Sequence, residues 1–206
     1  MKLACQVDAN DYVDGILFAP DRGSIVTGRL TDTLAPSTKV QHFSRAQDPW
    51  FYIHADRITR NSLEPVKEAT PLRDYLFRYD RGAFWTGRYA YYYFMVPFNR
   101  ITRYLLDYFM HTRVMYHALH ASGHAKKYMI QDLLLPEATA GQFIDYVSDE
   151  FGFWPLWLCP FTIKREISLH PRLSNHDKQE NPEKMFINVG VWGPGSTKCA
   201  YRLEYD

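Results

Sequence analysis

Arg78, Asp80 and Arg81 stand beside Tyr79, Phe84 and Trp85, a mixture that suits a ligand with one polar end and an apolar body. A helix end closed by an ion pair explains the same residues without a ligand. A second cluster is almost purely aromatic: Tyr89, Tyr91, Tyr92, Tyr93 and Phe94, followed by Met95-Val96-Pro97-Phe98. It is too dense for one element face, so some rings are exposed, bound to ligand or packed on a partner, unless all of them fill core between helices. His117, His120 and His124 have helical spacing suited to a metal. Gly123 ends the helix before His124, however, and neither carboxylate nor cysteine lies nearby, so a solvated helix end is the plainer account and no metal site is expected. Gln131 and Asp132 interrupt an apolar strand. A carboxylate there is either bonded across the sheet or sits beside a cavity, where a raised pKa would make it a proton donor. Asp132 is the single candidate for a catalytic acid.

These residues need elements to hold them. Tyr128 to Leu135 is predicted as a strand that Pro136 ends. Thr139 and Gln142 have capping-box spacing and Gly152 stands at a C-cap position, which predicts a helix between them. On it Phe143, Ile144, Val147 and Phe151 share one face, and Asp145, Asp149 and Glu150 another. The stretch Phe153-Trp154-Pro155-Leu156-Trp157-Leu158-Cys159-Pro160-Phe161 is nearly free of polarity and is expected to be a strand buried on both faces, or a cavity wall, with Trp157 inside. Near the start, Tyr12 to Ala19 and Ser24 to Leu30 form a hairpin about Pro20-Asp21-Arg22-Gly23, preceded by a helix end at Met1 to Gln6. Thr33 to Asp48 is a polar connection and Phe51 to Arg60 a short helix. Leu72, Tyr75, Leu76 and Tyr79 mark one helix face; Ile101, Leu105, Tyr108, Met115 and Leu119 mark a longer stripe that Gly123 terminates. These helices are expected to cover one face of the sheet. Asn175 to Lys184 reads as a polar loop, and Ser196 as the cap of a helix begun by Ala200, Leu203 and Glu204.

The 206 residues are 46% hydrophobic and 23% charged, which suits one folded domain without repeats. Aromatics make up 16%, with 15 Tyr, 13 Phe and 5 Trp; that surplus fits either a large apolar ligand or a compact aromatic core. A net charge of +1 carries no argument for nucleic acid. Cys5, Cys159 and Cys199 have no paired spacing, as expected of reduced thiols in an intracellular compartment. No apolar run approaches the roughly 18 to 20 residues of a transmembrane helix, and no signal peptide is expected. Gly190-Val191-Trp192-Gly193-Pro194-Gly195 follows a strand, but its spacing is wrong for a dinucleotide fingerprint.

Several blocks occur together in a recognisable order: Tyr12-Val13-Asp14-Gly15-Ile16-Leu17-Phe18 with Thr27-Gly28-Arg29-Leu30-Thr31-Asp32; Pro49-Trp50-Phe51; Pro71-Leu72-Arg73-Asp74-Tyr75; Arg78 to Trp85; Gln131-Asp132 with Pro136; Pro155 to Phe161; and Phe186-Ile187-Asn188-Val189-Gly190. Between Tyr12 and Gly195 the chain thereby resembles the sterol Δ24-reductase family of FAD-linked oxidoreductases, which in turn resembles the vanillyl-alcohol-oxidase group. The resemblance implies a single substrate-binding cap domain over residues 1–206, with the FAD-binding domain absent. The expected fold is α/β (α+β), a mostly antiparallel sheet with helices on one face. For the full-length family it implies hydride transfer from NADPH to FAD and then to an isolated alkene; in this chain no cofactor is expected.

The candidate substrate-binding residues are Tyr79, Arg81, Trp85, Tyr92, Phe94, Tyr128, Gln131 and Trp157. The expected ligand is a sterol-like, polyene or terpenoid molecule, with self-association through the same apolar patch as a competing outcome. Two alternatives stand beside the cap: a cofactor-independent cyclase or isomerase of such a molecule, and a non-catalytic lipid-binding or interaction module. The expected location is the cytoplasm or the periphery of the endoplasmic reticulum.

Overall fold

The computed structural model describes residues 1–5, 10–62, 64–152, 154–162 and 185–195. Phe153, the polar stretch Asn175 to Lys184, Cys199 and the helix expected from Ser196 through Ala200, Leu203 and Glu204 lie outside the described residues. The chain divides into two compact units, Met1–Arg29 with Ile130–Trp192 and Leu30–Met129 with Gly193–Asp206.

The first unit is built on a five-stranded sheet in the order β2-β1-β4-β5-β3. A short helix α1 (Lys2–Cys5) precedes β1 (Tyr12–Ala19) and β2 (Arg22–Gly28), whose hairpin is tighter than expected because β2 starts at Arg22. The pairing slips between Leu17 and Ala19, and Gly23 is required beside that irregularity: a Cβ there would lie 2.6 Å from the Leu17 side chain. β2 alternates half-buried and exposed residues, as a sheet edge with one wet face should. β1 pairs β4 (Leu156–Thr162), and β4 pairs β5 (Met185–Pro194), both antiparallel. β5 is buried through Ile187, Val189 and Val191 on one face and Phe186 on the other, which explains its almost unbroken apolar run. The Gly190 to Pro194 cluster lies inside this strand and does not follow it. Gly190 is dictated by packing, since a Cβ would meet the Asp132 carboxylate at 2.9 Å and Trp157 at 3.2 Å.

β3 (Tyr128–Pro136) leads into α7 (Glu137–Phe151), and Gly152 closes the helix with φ 63°. The expected capping box does not form. The helix begins three residues earlier, after Pro136, and the Thr139 hydroxyl donates to the Pro136 carbonyl at 3.1 Å. Glu137 in the first turn meets the positive end of the helix dipole. The apolar face is as expected, with Val147 fully buried and Asp145, Asp149 and Glu150 exposed. Trp157 is only half-buried; Leu156, one residue earlier, is the fully buried side chain of β4. The alternation of a strand explains the difference, because Trp157 shares its face with Gly190 while Leu156 points to the other.

The second unit holds α2 (Phe51–Asn61), α3 (Leu72–Leu76), α4 (Gly87–Tyr93), α5 (Arg100–Leu105) and α6 (Thr112–Ala121), with 3-10 turns at Asp107–Met110 and His124–Lys127. These helices form the second compact unit. Its core is aromatic: Phe43, Trp50, Phe51, Tyr52, Tyr75, Trp85 and Tyr91 are buried, and their rings meet mostly edge to face. The long stripe expected over Ile101 to Leu119 is broken. Asn99 caps α5 through a capping box, the chain turns into the 3-10 segment after Leu106, and His111 is extended before α6 begins. Ile101, Leu105 and Tyr108 are consequently exposed, as are Leu72 and Leu76 on α3, where Asp74 and Tyr75 are the buried residues. Gly123 ends the run with φ 71°.

Candidate functional site

The helical unit is organised around Trp50, which is 1% exposed and precedes α2 in extended conformation. The chain from Gly82 to Phe84 wraps it with three successive left-handed residues, φ 81°, 43° and 62°. Only glycine fits the first position, because a Cβ would lie 2.5 Å from the Trp50 ring. Ala83 and Phe84 hold a conformation costing on the order of 1–2 kcal/mol each, tolerated because the surroundings fix it. Phe84 stacks on Tyr79 with centroids 3.9 Å apart, and the Arg78 guanidinium lies over Tyr75, Tyr79 and Phe51.

Arg81 explains that tolerance. Its side chain is buried and donates Nε–H to Asp107 Oδ1 at 2.7 Å, and its terminal nitrogens donate to the carbonyls of Phe43, Ala46 and Asp48 at 3.0–3.3 Å. The guanidinium thus fastens the irregular segment before α2 to the 3-10 turn after α5. From Asp107 the network continues to His111, whose Nε2 lies 3.5 Å from Asp107 and whose Nδ1 lies 2.6 Å from Asp80. Arg81, expected to orient a ligand, is 3% exposed and directs these four hydrogen bonds to protein acceptors. Trp85, the next substrate-binding candidate, is 2% exposed and packs on Tyr52 and Phe84. The remaining aromatic candidates differ. Tyr92 and Phe94 are 58% and 69% exposed beside Tyr93 and Met95, while Tyr79 and Tyr128 are half-buried, Tyr128 against Tyr89.

On the same unit a cavity of about 270 Å³ is lined by His54, Arg57, Arg100, Arg103, Asp48 and Gln41, among others. His54 is buried; burial lowers its pKa, outweighing Glu68, and keeps the ring neutral at pH 7. Its partners then define the tautomer: Nε2–H donates to Glu68 Oε2 at 2.6 Å, and Nδ1 accepts from Arg57 at 3.1 Å. Burial alone would raise the Glu68 pKa, but hydrogen bonds from Lys39 and His54 bring it below the usual range. Asp74 behaves alike: burial opposes its ionisation and the amide of Phe43 with His42 restores it, leaving the pKa lowered.

In the sheet unit the structure brings Asp132 and Trp157 to one face, on either side of Gly190. Asp132 accepts from Trp192 Nε1 at 3.3 Å and Asn188 Nδ2 at 3.4 Å, and Trp157 Nε1 donates to Asp14 at 3.4 Å. Asp132 is exposed, and its carboxylate is bonded to Asn188 and Trp192 of β5. Gln131 is exposed too, and strand alternation turns it to the opposite face. Among the described residues no His, Cys, Asp and Glu group is arranged to hold a metal, including the three helical histidines. The glycines of β5 lie within a paired strand and open no helix, so they do not form a glycine-rich phosphate turn.

Sequence reasoning missed Asp107, His111, His54 and the cavity arginines. Helical spacing links Asp107 to His111, yet nothing in the sequence pairs Arg81 with either.

No family model and no solved structure matches the chain. Curated proteins do. The human Delta(24)-sterol reductase is 28% identical over 213 residues, covering 97% of this chain and 39% of that protein. A Delta(24)-sterol reductase homolog of Caenorhabditis elegans is 29% identical over 205 residues, and the Arabidopsis thaliana Delta(24)-sterol reductase 27% over 220, each covering 94% of the chain and 36% of the relative. The chain spans less than two fifths of the length of these relatives. Along nearly its whole length it is similar to one part of the Delta(24)-sterol reductases.

Proposed function

We propose that the chain is the substrate-binding cap region of an FAD-linked, sterol Δ24-reductase-like oxidoreductase, and that it takes a sterol-like apolar molecule without carrying out the redox step by itself. The observation that carries this reading is the similarity over 97% of the chain to a stretch amounting to 39% of the human enzyme. In this reading FAD and NADPH belong to the full-length family. Exposed rings support it: Tyr92, Phe94 and Met95 form an apolar surface on the helical unit, and Trp157 with Trp192 is half-open on the sheet unit. Among the described residues no helix is long and apolar enough to cross a membrane.

Tryptophan-fluorescence titration of the purified chain with a sterol tests the proposal, run beside sedimentation at several protein concentrations. Weak binding that does not respond to salt is expected, together with no stoichiometric FAD. Tyr92→Glu weakens the binding, and it disperses any dimer formed through the same surface. FAD recovered at one per chain overturns the cap assignment. A monomer with no response to sterol, polyene or terpenoid overturns the ligand.

A further inference from the structure

The cavity of the helical unit has an electrostatic character that an apolar ligand leaves unused. Arg57 comes from α2, Arg100 and Arg103 from α5, and all three line one space of about 270 Å³ whose only carboxylate is Asp48. Asp48 is already engaged, its Oδ2 accepting from the Arg45 amide and its carbonyl from Arg81. Among the described residues none of the three arginines has a carboxylate partner. Arg57 hydrogen-bonds to His54, Arg103 lies 4.9 Å from the Phe98 ring, and Arg100 has no bonded partner.

Two further observations concern Arg103 and its surroundings. Arg103 is half-buried, and its pKa is lowered first by that burial and further by the positive charges of Arg81 and Arg100. Next to it the Tyr52 hydroxyl is buried without a hydrogen-bond partner among the described residues. The relay Lys39–Glu68–His54–Arg57 meanwhile spends its carboxylate on a neutral imidazole and holds Arg57 at the cavity wall. Three guanidinium groups lining one open cavity with a single carboxylate match a compact, multiply charged oxyanion presenting several oxygens.

We propose that this cavity binds a phosphate group, with Arg57, Arg100 and Arg103 as its donors. The group is carried either by a soluble phosphate ester or by a phospholipid headgroup.

Thermal unfolding of the full 206-residue chain in inorganic phosphate and in pyrophosphate, against sodium chloride at matched ionic strength, is the primary test. At ten times its Kd the anion raises Tm by about 3 °C. Arg100→Gln with Arg103→Gln abolishes the shift, Arg103→Lys retains part of it, and Arg60→Gln, outside the cavity, leaves it whole. Broadening of the phosphate 31P resonance by the wild-type protein, and by Arg103→Lys, gives a second readout if the double variant does not fold. Cosedimentation with phosphatidylcholine vesicles containing phosphatidic acid separates the sources. Binding to vesicles that needs Arg100 and Arg103, with no response to free phosphate, assigns the group to a headgroup; a response to free phosphate assigns a soluble ester. No response to phosphate, pyrophosphate or vesicles overturns the site, and so does an equal response in the double glutamine variant. None of these readouts depends on a sterol.

Discussion

Replacing Arg81 by methionine keeps the volume of the side chain and removes its charge and all its donors. The structure then leaves the Asp107 carboxylate, 15% exposed, without its guanidinium, and the carbonyls of Phe43, Ala46 and Asp48 without a donor. Breaking one side of a buried ion pair costs about 3–5 kcal/mol. Relaxation and water reaching the three carbonyls reduce what they add, so about 4 kcal/mol is expected for the helical unit. That corresponds to a fall in Tm of about 10 °C. Arg81→Lys keeps the charge with a single donor group and should lose about half as much. Urea unfolding of the wild type, Arg81→Met, Asp107→Asn and the double variant measures the terms. The double-variant cycle should give a coupling of about 2 kcal/mol or more, because Asp107→Asn alone already disrupts the same contact. A loss below about 1 kcal/mol for Arg81→Met, accompanied by weakened ligand binding, would refute the clamp and restore Arg81 to the role of ligand-orienting charge.

Two further outcomes follow from local geometry. Gly82→Ala should destabilise by about 3 kcal/mol, combining left-handed strain with collision against Trp50, whereas Gly123→Ala, at φ 71° with open space around it, should lose about 1 kcal/mol; equal losses in thermal unfolding would contradict the close approach. His54, whose folded pKa is lowered, contributes stability that is fully present above its unfolded value of about 6.5 and is lost as pH falls through the folded value, at no more than about 1.4 kcal/mol per pH unit. Urea midpoints between pH 7 and pH 5 should therefore fall in the wild type and fall less in His54→Gln; identical slopes would mean that His54 is not buried in its neutral form.

The sheet unit was legible because its signals are local. Alternation, Pro136 and Gly152 locate β3 and α7, and unbroken apolar runs locate β4 and β5. One miss there concerns a helix start. Thr139 to Gln142 has capping-box spacing, but Pro136 already supplies the φ that starts the helix, so Thr139 serves as a donor inside the first turn. The helical unit was less legible because its order is set at long range. The stripe from Ile101 to Leu119 has helical periodicity, yet the turn at Asp107 that breaks it is fixed by Arg81, twenty-six positions away in sequence. The same distance hid the site. A charged residue among aromatics looks like a ligand contact in sequence, and only the converging carbonyls of Phe43, Ala46 and Asp48 reveal a structural guanidinium.

Asp132 has a consequence beyond its hydrogen bonds. Among the described strands β3 lies at an edge of the sheet, where unpaired backbone groups can template the strand of another molecule and seed fibrous aggregates. An arriving strand would have to cover the carboxylate of Asp132 together with Gln131, and neither the Trp192 nor the Asn188 donor neutralises that charge. The pair that interrupts the apolar run of β3 thus works as a gatekeeper: it keeps the most apolar part of the chain, two strands away at Trp157 and Leu158, from propagating its pairing into a neighbouring copy.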